Sequence, residues 1–349
     1  MNPLHVLVVD DSAVVRQAMT ALLGDEMTVT TAADPFIAMM KMESMRPDVI
    51  VLDLEMPRMD GLTFLRRIMD ESPIPVVVCS SLTSTSSELT MRALQLGAVD
   101  VVAKPKVRVG ESPSDSAIAL LETIRGAAQA KVGRVTRGRS VSRPAQPKSR
   151  DLARDDAHVP RQIVVVGAST GGTEVLRQFL DAMPADAPPI VIVQHMPERF
   201  TAAFARRLNE TSAMDVREAA AGDVLRSGLA LIAPGDRHIT LIRQGANTLS
   251  VSLHDTALVN RHRPSVDVLF SSAARTLGNM GIGVLMTGMG RDGARGLLEM
   301  RTAGARTIVQ DEATSVVFGM PKAAIELGAA MHVVGGAAIA ATVLDGCGN

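Results

Sequence analysis

The sequence predicts an α/β protein built from two parallel-sheet domains. Short apolar runs alternate with amphipathic helical patterns over residues 4–125 and again from residue 162, which is typical of strands covered by helices on both faces. Between these stretches, residues 131–150 carry seven Lys or Arg and no Asp or Glu. We therefore expect domains at residues 1–125 and 161–349, separated by a basic flexible linker at 126–160.

Composition and charge exclude several functions. The 349 residues include 36 Lys and Arg against 37 Asp and Glu, for a net charge of −1, and only 2% are aromatic. The chain has no net positive charge to attract phosphates and few aromatic side chains on which bases could stack, so we expect no nucleic-acid partner. The two cysteines lie far apart, and the N-terminus lacks the basic region of a signal peptide. Glycines interrupt the uncharged residues 327–344, where we expect a buried strand and a helix rather than a membrane span. We predict a cytoplasmic protein without membrane insertion.

The first domain is predicted to hold a five-stranded, doubly wound sheet. Its strands are expected at 6–9, 28–31, 49–52, 75–79 and 99–103, and helical patterns cover 12–23, 35–45 and 62–70. In such a sheet the carboxyl ends of the strands line one crevice. Chemically active side chains follow four of these strand ends, namely Asp10 and Asp11, Asp53, Ser80 and Lys104.

This set predicts a site for a cation and an anion. Three carboxylates in one crevice would repel each other unless a hard divalent cation such as Mg²⁺ neutralised them. A lysine and a hydroxyl opposite would hold an anion, such as a phosphoryl group, near Asp53. Each residue also has a structural interpretation, because aspartates cap helices and Lys-Pro forms turns. The coincidence of all five at strand ends favours the functional interpretation.

The motifs VVDDS, VLDLEMPRMDG, VVVCSS and VVAKP resemble the receiver domain of two-component response regulators, over about the first 120 residues. Many receivers place an aromatic switch residue three positions before the lysine, where this chain has Val101. The resemblance therefore does not extend to an aromatic switch. It implies phosphorylation of Asp53 by a histidine kinase, Mg²⁺ held by Asp10, Asp11 and Asp53, and phosphoryl contacts from Ser80 and Lys104.

The second domain is also predicted to be α/β with a largely parallel sheet. Strands are expected at 163–166, 190–193, 229–233, 282–287 and 307–309, with a possible antiparallel hairpin around 238–253. The first strand runs into Gly-Ala-Ser-Thr-Gly at 167–171, which matches the G-x-S-x-G nucleophile turn between a strand and a helix. Ser169 replaces the middle glycine of a dinucleotide fingerprint, and the P-loop lysine is missing. A helix-capping serine is the structural alternative.

Partners for Ser169 favour the nucleophile. A serine nucleophile needs a base, and the base needs an orienting carboxylate. His195 and Asp292 both follow predicted strands, so they are expected at the same sheet edge as Ser169. No zinc-binding spacing is evident. The other candidates are weaker: His238 begins a predicted strand, His254 and His262 lie on a polar connection, and His332 is expected in the core. Asp267 and Asp311 are the fallback carboxylates.

The motifs GASTGG, VQHMP, PGDRH, TGMGRDG and VQDEATSVVFGMPKAA resemble the catalytic domain of the chemotaxis protein-glutamate methylesterases, the CheB family. The order receiver, linker, esterase also matches. The resemblance implies phosphorylation-activated hydrolysis of glutamate γ-methyl esters on chemoreceptors, and deamidation of certain glutamines there. It implies no cofactor in this domain. The chain order Ser169, His195, Asp292 differs from the order Ser, Asp or Glu, His of the α/β-hydrolase fold, so we expect a different fold. The implied roles are Ser169 as nucleophile, His195 as base, Asp292 as orienting acid, and oxyanion contacts from the backbone amides of Thr170 and Met289.

Rival interpretations remain at this stage. The receiver could control a different acyl hydrolase or amidase, because a triad alone does not define the substrate. It could instead control a binding-only output, although no recognition helix follows the linker. An enzyme-dead scaffold is disfavoured because all three triad residues are present.

Overall fold

The computed structural model describes residues 3–81, 83–105, 115–130, 132, 160–245 and 248–345. The chain forms two compact units, residues 1–138 and 139–349, which we describe separately. Most of the predicted linker lies outside the described residues. Helix α5 (Asp115–Ala128) ends three residues beyond the predicted end of the first domain at residue 125.

The first unit is the predicted five-stranded parallel sheet with helices between the strands. The strand order is β2-β1-β3-β4-β5, with every neighbouring pair parallel, so the doubly wound prediction is confirmed. Its remaining elements are β1 (His5–Val9), α1 (Ala13–Leu23), β2 (Thr28–Ala32), α2 (Pro35–Ser44), β3 (Val49–Leu52), α3 (Gly61–Glu71), β4 (Val76–Ser80), α4 (Ser84–Gln95) and β5 (Asp100–Ala103).

Side chains just before the first four helices define where those helices begin. Ser12, Asp34, Asp60 and Thr83 each accept a hydrogen bond from a backbone amide in the first turn of α1, α2, α3 and α4. Asp10 instead accepts from the Ser12 amide at 2.9 Å. Because Ser12 caps α1, the structural interpretation of the paired aspartates as helix caps does not apply.

The second unit holds a seven-stranded parallel sheet and a separate two-stranded hairpin. The sheet order is β14-β13-β12-β6-β7-β9-β8. The hairpin of β10 and β11 is antiparallel, as predicted. The elements are β6 (Ile163–Ala168), α6 (Gly172–Asp181), β7 (Ile190–Gln194), α7 (Glu198–Thr211), β8 (Asp215–Glu218), β9 (Leu229–Ile232), β10 (His238–Gln244), β11 (Thr248–His254), α8 (Val266–Leu277), β12 (Gly281–Leu285), α9 (Ala294–Thr302), β13 (Arg306–Gln310), α10 (Met320–Glu326), β14 (His332–Val334) and α11 (Ile339–Asp345).

Of the two edge strands of this sheet, β8 was not predicted, and β14 lies within residues 327–344, where a strand was expected but a buried one. Both are short and lack a continuous apolar run, since edge strands are not covered on both faces as central strands are. The prediction that His332 is a core residue is wrong: it lies on β14 and is exposed. The three central strands β6, β7 and β12 are buried along their whole length. No helix among the described residues is long and apolar enough to cross a membrane.

Candidate active sites

The polar residues predicted at the strand ends of the first unit lie together. Lys104 Nζ contacts Asp53 Oδ2 at 2.7 Å and Asp10 Oδ2 at 2.9 Å. Ser80 ends β4 and is buried. Ligand oxygens of Asp10, Asp11 and Asp53 lie within 4.8 Å of one another. The crevice therefore combines carboxylates with one lysine and one hydroxyl.

The electrostatics of this crevice fit a divalent cation. Burial raises the pKa of the Asp53 carboxyl above its ordinary value, although the hydrogen bond and charge of Lys104 oppose this. Burial would lower the pKa of Lys104, but its hydrogen bonds to Asp53 and Asp10 outweigh that effect and raise it. One lysine therefore does not compensate for the buried carboxylates. A small dication with oxygen ligands would supply the missing positive charge.

In the second unit, strand register brings Ser169 and His195 side by side. Residues Ala168 and Gln194 are partners at the ends of β6 and β7, and the His195 amide donates to the Ala168 carbonyl at 3.1 Å. Ser169 and His195 therefore start the loops that follow two neighbouring, paired strands. The Gln194 side-chain amide donates to the carbonyls of both Ser169 and His195, at 2.9 and 3.1 Å.

A glycine loop closes on Ser169 from the opposite side. The Ser169 amide donates to the Thr287 carbonyl, just beyond β12, at 3.0 Å. Gly288 follows, and a β-carbon there would come within 2.7 Å of Ser169 Cβ and 2.3 Å of Met320 Sδ. Only glycine allows the loop to approach the serine this closely. Gly171 ends the nucleophile turn with φ +75°, a left-handed conformation that glycine adopts readily.

His195 pairs with the predicted carboxylate. Its Nε2 lies 2.9 Å from Asp292 Oδ2, and the carboxylate accepts, so Nε2 carries the proton. His195 Nδ1 is buried and has no hydrogen-bond partner among the described residues. A neutral ring with its proton on Nε2 therefore presents an unprotonated Nδ1, the nitrogen that can accept a proton.

Asp292 is held as an ionised acceptor at the start of α8. The backbone amides of Val266 and Asp267 donate to it at 2.6 and 3.2 Å, and the Ser265 hydroxyl donates at 2.7 Å. Ser265 makes no capping bond to α8 itself, so Asp292 satisfies the free amides and faces the positive end of the helix dipole. Burial would raise the pKa of Asp292, but the hydrogen bond and charge of His195 and the further donors lower it well below its ordinary value.

The two predicted oxyanion donors lie beside Ser169 in these loops. Thr170 follows the serine directly, and Met289 follows Gly288. Within the described part of the chain, neither backbone amide donates to a protein acceptor. Both amides are thus available to a substrate oxygen, as an oxyanion site requires.

The remaining candidates lie outside the triad. Asp311 bonds Thr314 in its own turn, and His254 Nε2 lies 2.9 Å from Thr240 Oγ1 on the hairpin. His238 accepts the Ser265 amide on Nδ1 at 3.1 Å and contacts the Ala257 carbonyl through Nε2. Burial lowers the pKa of His238, so it stays neutral and supports the loop that carries Ser265.

Two residues at the site were not predicted for it. The His262 ring stacks on His195 with centroids 3.7 Å apart and planes 13° apart. The Asn260 side-chain amide donates to Asp292 Oδ1 at 2.7 Å. Neither follows a strand of the main sheet, so the strand-end argument could not find them. The sequence signal that could have indicated a turn here was Asn260 in a short polar segment, because Asn tolerates left-handed turn positions.

Comparison of the sequence with known proteins shows which family the chain belongs to. The sequence model of the CheB methylesterase family matches residues 164–343, and that of the response regulator receiver domain matches residues 6–109. The chain belongs to the CheB methylesterase family. It is 54% identical over 340 residues to "Protein-glutamate methylesterase/protein-glutamine glutaminase 5" of Anaeromyxobacter dehalogenans, covering 95% of this chain and 94% of the relative.

Other family members agree along the whole length. The chain is 51% identical over 357 residues to "Protein-glutamate methylesterase/protein-glutamine glutaminase 3" of Geobacter metallireducens, covering 100% of both chains. The crystal structure of the Thermotoga maritima CheB methylesterase catalytic domain is 39% identical, with a TM-score of 0.52; the match covers 53% of this chain and 97% of that one. Nothing in the comparisons supports a binding-only output or a different acyl hydrolase.

Proposed function

We propose that the second unit hydrolyses γ-methyl esters of glutamate on chemoreceptors through Ser169, His195 and Asp292, and deamidates certain glutamines there. The observation that carries the proposal is the bond of His195 Nε2 to Asp292, made where strand register sets His195 beside Ser169. A serine, an imidazole and a carboxylate in this relation form an activated nucleophile. The family membership supports the reaction and the substrate.

The first half of the reaction transfers the glutamyl group to the enzyme. His195 Nδ1 takes the proton of the Ser169 hydroxyl while the serine oxygen attacks the ester carbonyl carbon. Asp292 remains ionised, since its pKa is held low, and stabilises the positive charge on the His195 ring. The tetrahedral intermediate then collapses. Its C–O bond to methoxide breaks, and methoxide leaves as methanol with the proton from His195.

The second half regenerates the enzyme. Water donates a proton to His195 Nδ1 and attacks the glutamyl ester of Ser169, and the serine oxygen leaves with that proton. The products are receptor glutamate and the free enzyme. A glutamine side chain follows the same steps with ammonia as the leaving group. In each half, the amides of Thr170 and Met289 stabilise the oxyanion, and one such donor contributes about 3 kcal/mol.

The first unit is proposed to control this activity through phosphorylation. Asp53 would accept a phosphoryl group from a histidine kinase, while Lys104 and Ser80 would contact the phosphoryl oxygens. Asp10, Asp11 and Asp53 would hold Mg²⁺, which would neutralise charge during the transfer. The contacts of Lys104 to Asp10 and Asp53 support this assignment. A cytoplasmic location, where kinase and receptor tails are accessible, remains part of the proposal.

Methanol release from methylated chemoreceptor tests the proposal. Ser169→Ala removes the nucleophile and should reduce the rate by about 10⁵-fold or more, as expected when a triad serine is lost. Ser252→Ala, which removes a hydroxyl from the hairpin strand β11, should leave the rate unchanged. Phosphorylation of Asp53 by acetyl phosphate should proceed in both variants. Substantial methanol release by Ser169→Ala would exclude this serine from the reaction.

A further inference from the structure

A two-residue turn lies against the proposed triad. Val259 and His262 exchange two backbone hydrogen bonds, of 3.1 and 2.9 Å. Between them, Asn260 and Arg261 both have left-handed backbones, with φ of 52° and 66°. Positive φ at both central residues is the geometry of a type I′ turn. Arginine rarely adopts it, and such strain is found where surrounding structure enforces a functional geometry.

The first of the two central residues acts on the acid. Asn260 Nδ2 donates to Asp292 Oδ1 and to Asp267 Oδ2, both at 2.7 Å. Asp267 in turn accepts the Gly296 amide of α9 at 2.7 Å. Burial and the nearby Asp292 raise the pKa of Asp267, so the two carboxylates repel each other. A neutral amide with two N–H donors can join them without adding charge.

The residue that closes the turn acts on the base. His262 is largely buried, and its ring lies flat on the His195 ring with centroids 3.7 Å apart. Burial, followed by the charge of His195, lowers the pKa of His262 to about 3. His262 therefore remains neutral over the range in which esterases work. A neutral flat ring packs against the imidazole and does not repel it when it becomes protonated.

The turn is anchored from its outer side. Arg263 contacts Asp236 through Nε and Nη2 at 2.9 and 2.6 Å, and its Nη1 donates to the Thr256 carbonyl at 2.8 Å. The Asp236 amide also donates to the Arg263 carbonyl at 3.0 Å. The residues after the turn are therefore fixed to the loop before β10. This anchoring keeps Asn260 and His262 in register with the triad.

We infer that Asn260 and His262 are positioning residues, presented by one strained turn, that fix the acid and the base of the reaction together. The inference deepens the proposed function and rests on it. His262 holds the plane of the His195 ring, and Asn260 holds the carboxylate that orients it. Neither residue transfers a proton. Replacing either one should therefore disturb the alignment of the triad and lower kcat, with little effect on substrate binding.

The His262 variants separate positioning from proton transfer. His262→Ala removes the stacked ring and should lower kcat by about 10- to 100-fold with little change in KM, because small displacements of catalytic groups have effects of this size. His262→Phe keeps a flat ring without nitrogen, and should restore kcat to within about threefold of the wild type. Its pH profile should keep the wild-type shape. His254→Ala, at the end of β11, serves as the matched control and should behave as wild type.

The Asn260 variants test the acid side. Asn260→Asp introduces a third carboxylate between Asp267 and Asp292, and should lower kcat more at high pH than at low pH. Protonation of the new side chain at low pH would restore a neutral donor, so the loss should shrink as the pH falls. Asn260→Ala should give a loss without this pH dependence. A loss of purely structural origin would instead be the same for both variants at every pH.

These outcomes distinguish the inference from the proposed function. If His262→Ala keeps wild-type kcat, or His262→Phe is as slow as His262→Ala, the positioning role of His262 is wrong. If Asn260→Asp loses no more activity at high pH than at low pH, the role of Asn260 is wrong. Ser169→Ala measured in parallel decides the proposed function itself. Its inactivity alongside a fully active His262→Ala would overturn only the inference.

Discussion

The two units place their chemistry at the same part of the same kind of sheet, yet they hold it differently. In the first unit, Lys104 contacts Asp10 and Asp53 directly, and all three follow strand ends. In the second unit, Ser169 and His195 follow strand ends, but a turn outside the sheet also contacts the site. Asn260 of this turn donates to Asp292, and His262 stacks on the His195 ring. The site proposed for the first unit, which would accept a phosphoryl group and hold a hydrated cation, would tolerate less precise positioning of its side chains. A proton-transfer site needs side chains held within a fraction of an ångström.

The largest effect that sharpens this comparison should come from Asp292. Asp292→Asn keeps the shape of the side chain but removes the charge that orients and stabilises the His195 ring. In serine hydrolases with a triad, the same change lowers kcat by about 10⁴-fold, and we expect a loss of this order in methanol release. KM for the methylated receptor should change little.

The matched control for Asp292 is Asp311→Asn. Asp311 was a fallback carboxylate, and the hydrogen bonds described for its side chain are to Thr314 in its own turn. We expect the control to keep wild-type kcat. Equal losses in the two variants would show that Asp292 has no special relation to His195.

An intermediate effect should come from the first unit. Asp53→Asn removes the phosphoacceptor, so acetyl phosphate should no longer stimulate methanol release, while unstimulated activity remains. Coupling between two sites of a protein changes activity by roughly 5- to 150-fold, and we expect the stimulation to lie in that range. Asp70→Asn, on the exposed face of α3, should keep it.

Removal of the cation should reproduce the Asp53→Asn result. Chelation of Mg²⁺ by EDTA should abolish the stimulation by acetyl phosphate, because the carboxylates of the crevice then lack a counter-ion. Unstimulated methanol release should not change, since no metal is proposed for the second unit. If chelation abolished the unstimulated activity, the second unit would require a metal, which would contradict the proposal.

The last effect is on folding stability rather than on the reaction rate, and it concerns the second unit in acid. The pKa of His262 is about 3 in the folded chain and 6.5 for the free side chain, so below pH 6.5 the unfolded chain binds a proton that the folded chain does not. The free energy of unfolding should therefore fall as the pH drops from 6.5 towards 3, by at most about 1.4 kcal/mol per pH unit for one proton. His262→Phe should remove the contribution of His262 to this slope, as measured by urea unfolding monitored by circular dichroism.

His238 is the internal reference for that measurement. Burial lowers the pKa of His238 as well, so part of the acid sensitivity should survive in His262→Phe. It should be reduced further when His238→Phe is added to His262→Phe. An unchanged slope in His262→Phe would mean that His262 is not kept neutral by its surroundings.

The comparison also shows what could be predicted from the sequence. Strands buried on both faces leave continuous apolar runs, so β1, β3, β6 and β7 and the residues after them could be predicted. The edge strand β8 could not, because it lacks that signal, and β14 was expected to be buried although it is mostly exposed. Asn260 was missed, and His262 was ranked only as a weaker candidate, because their contacts depend on the geometry of a turn and on how a distant loop packs against the triad. No repeating pattern or fixed spacing in the sequence indicates such a contact.

The most direct test of the account is capture of the acyl intermediate. Acid quenching of the reaction with methylated receptor, followed by proteolysis and mass spectrometry, should show a γ-glutamyl ester on the peptide that contains Ser169. The adduct should be absent in Ser169→Ala and, because acylation is slow, scarce in Asp292→Asn. Turnover by the wild-type enzyme with no adduct on Ser169 under any quench time, or an adduct on another residue, would contradict the account.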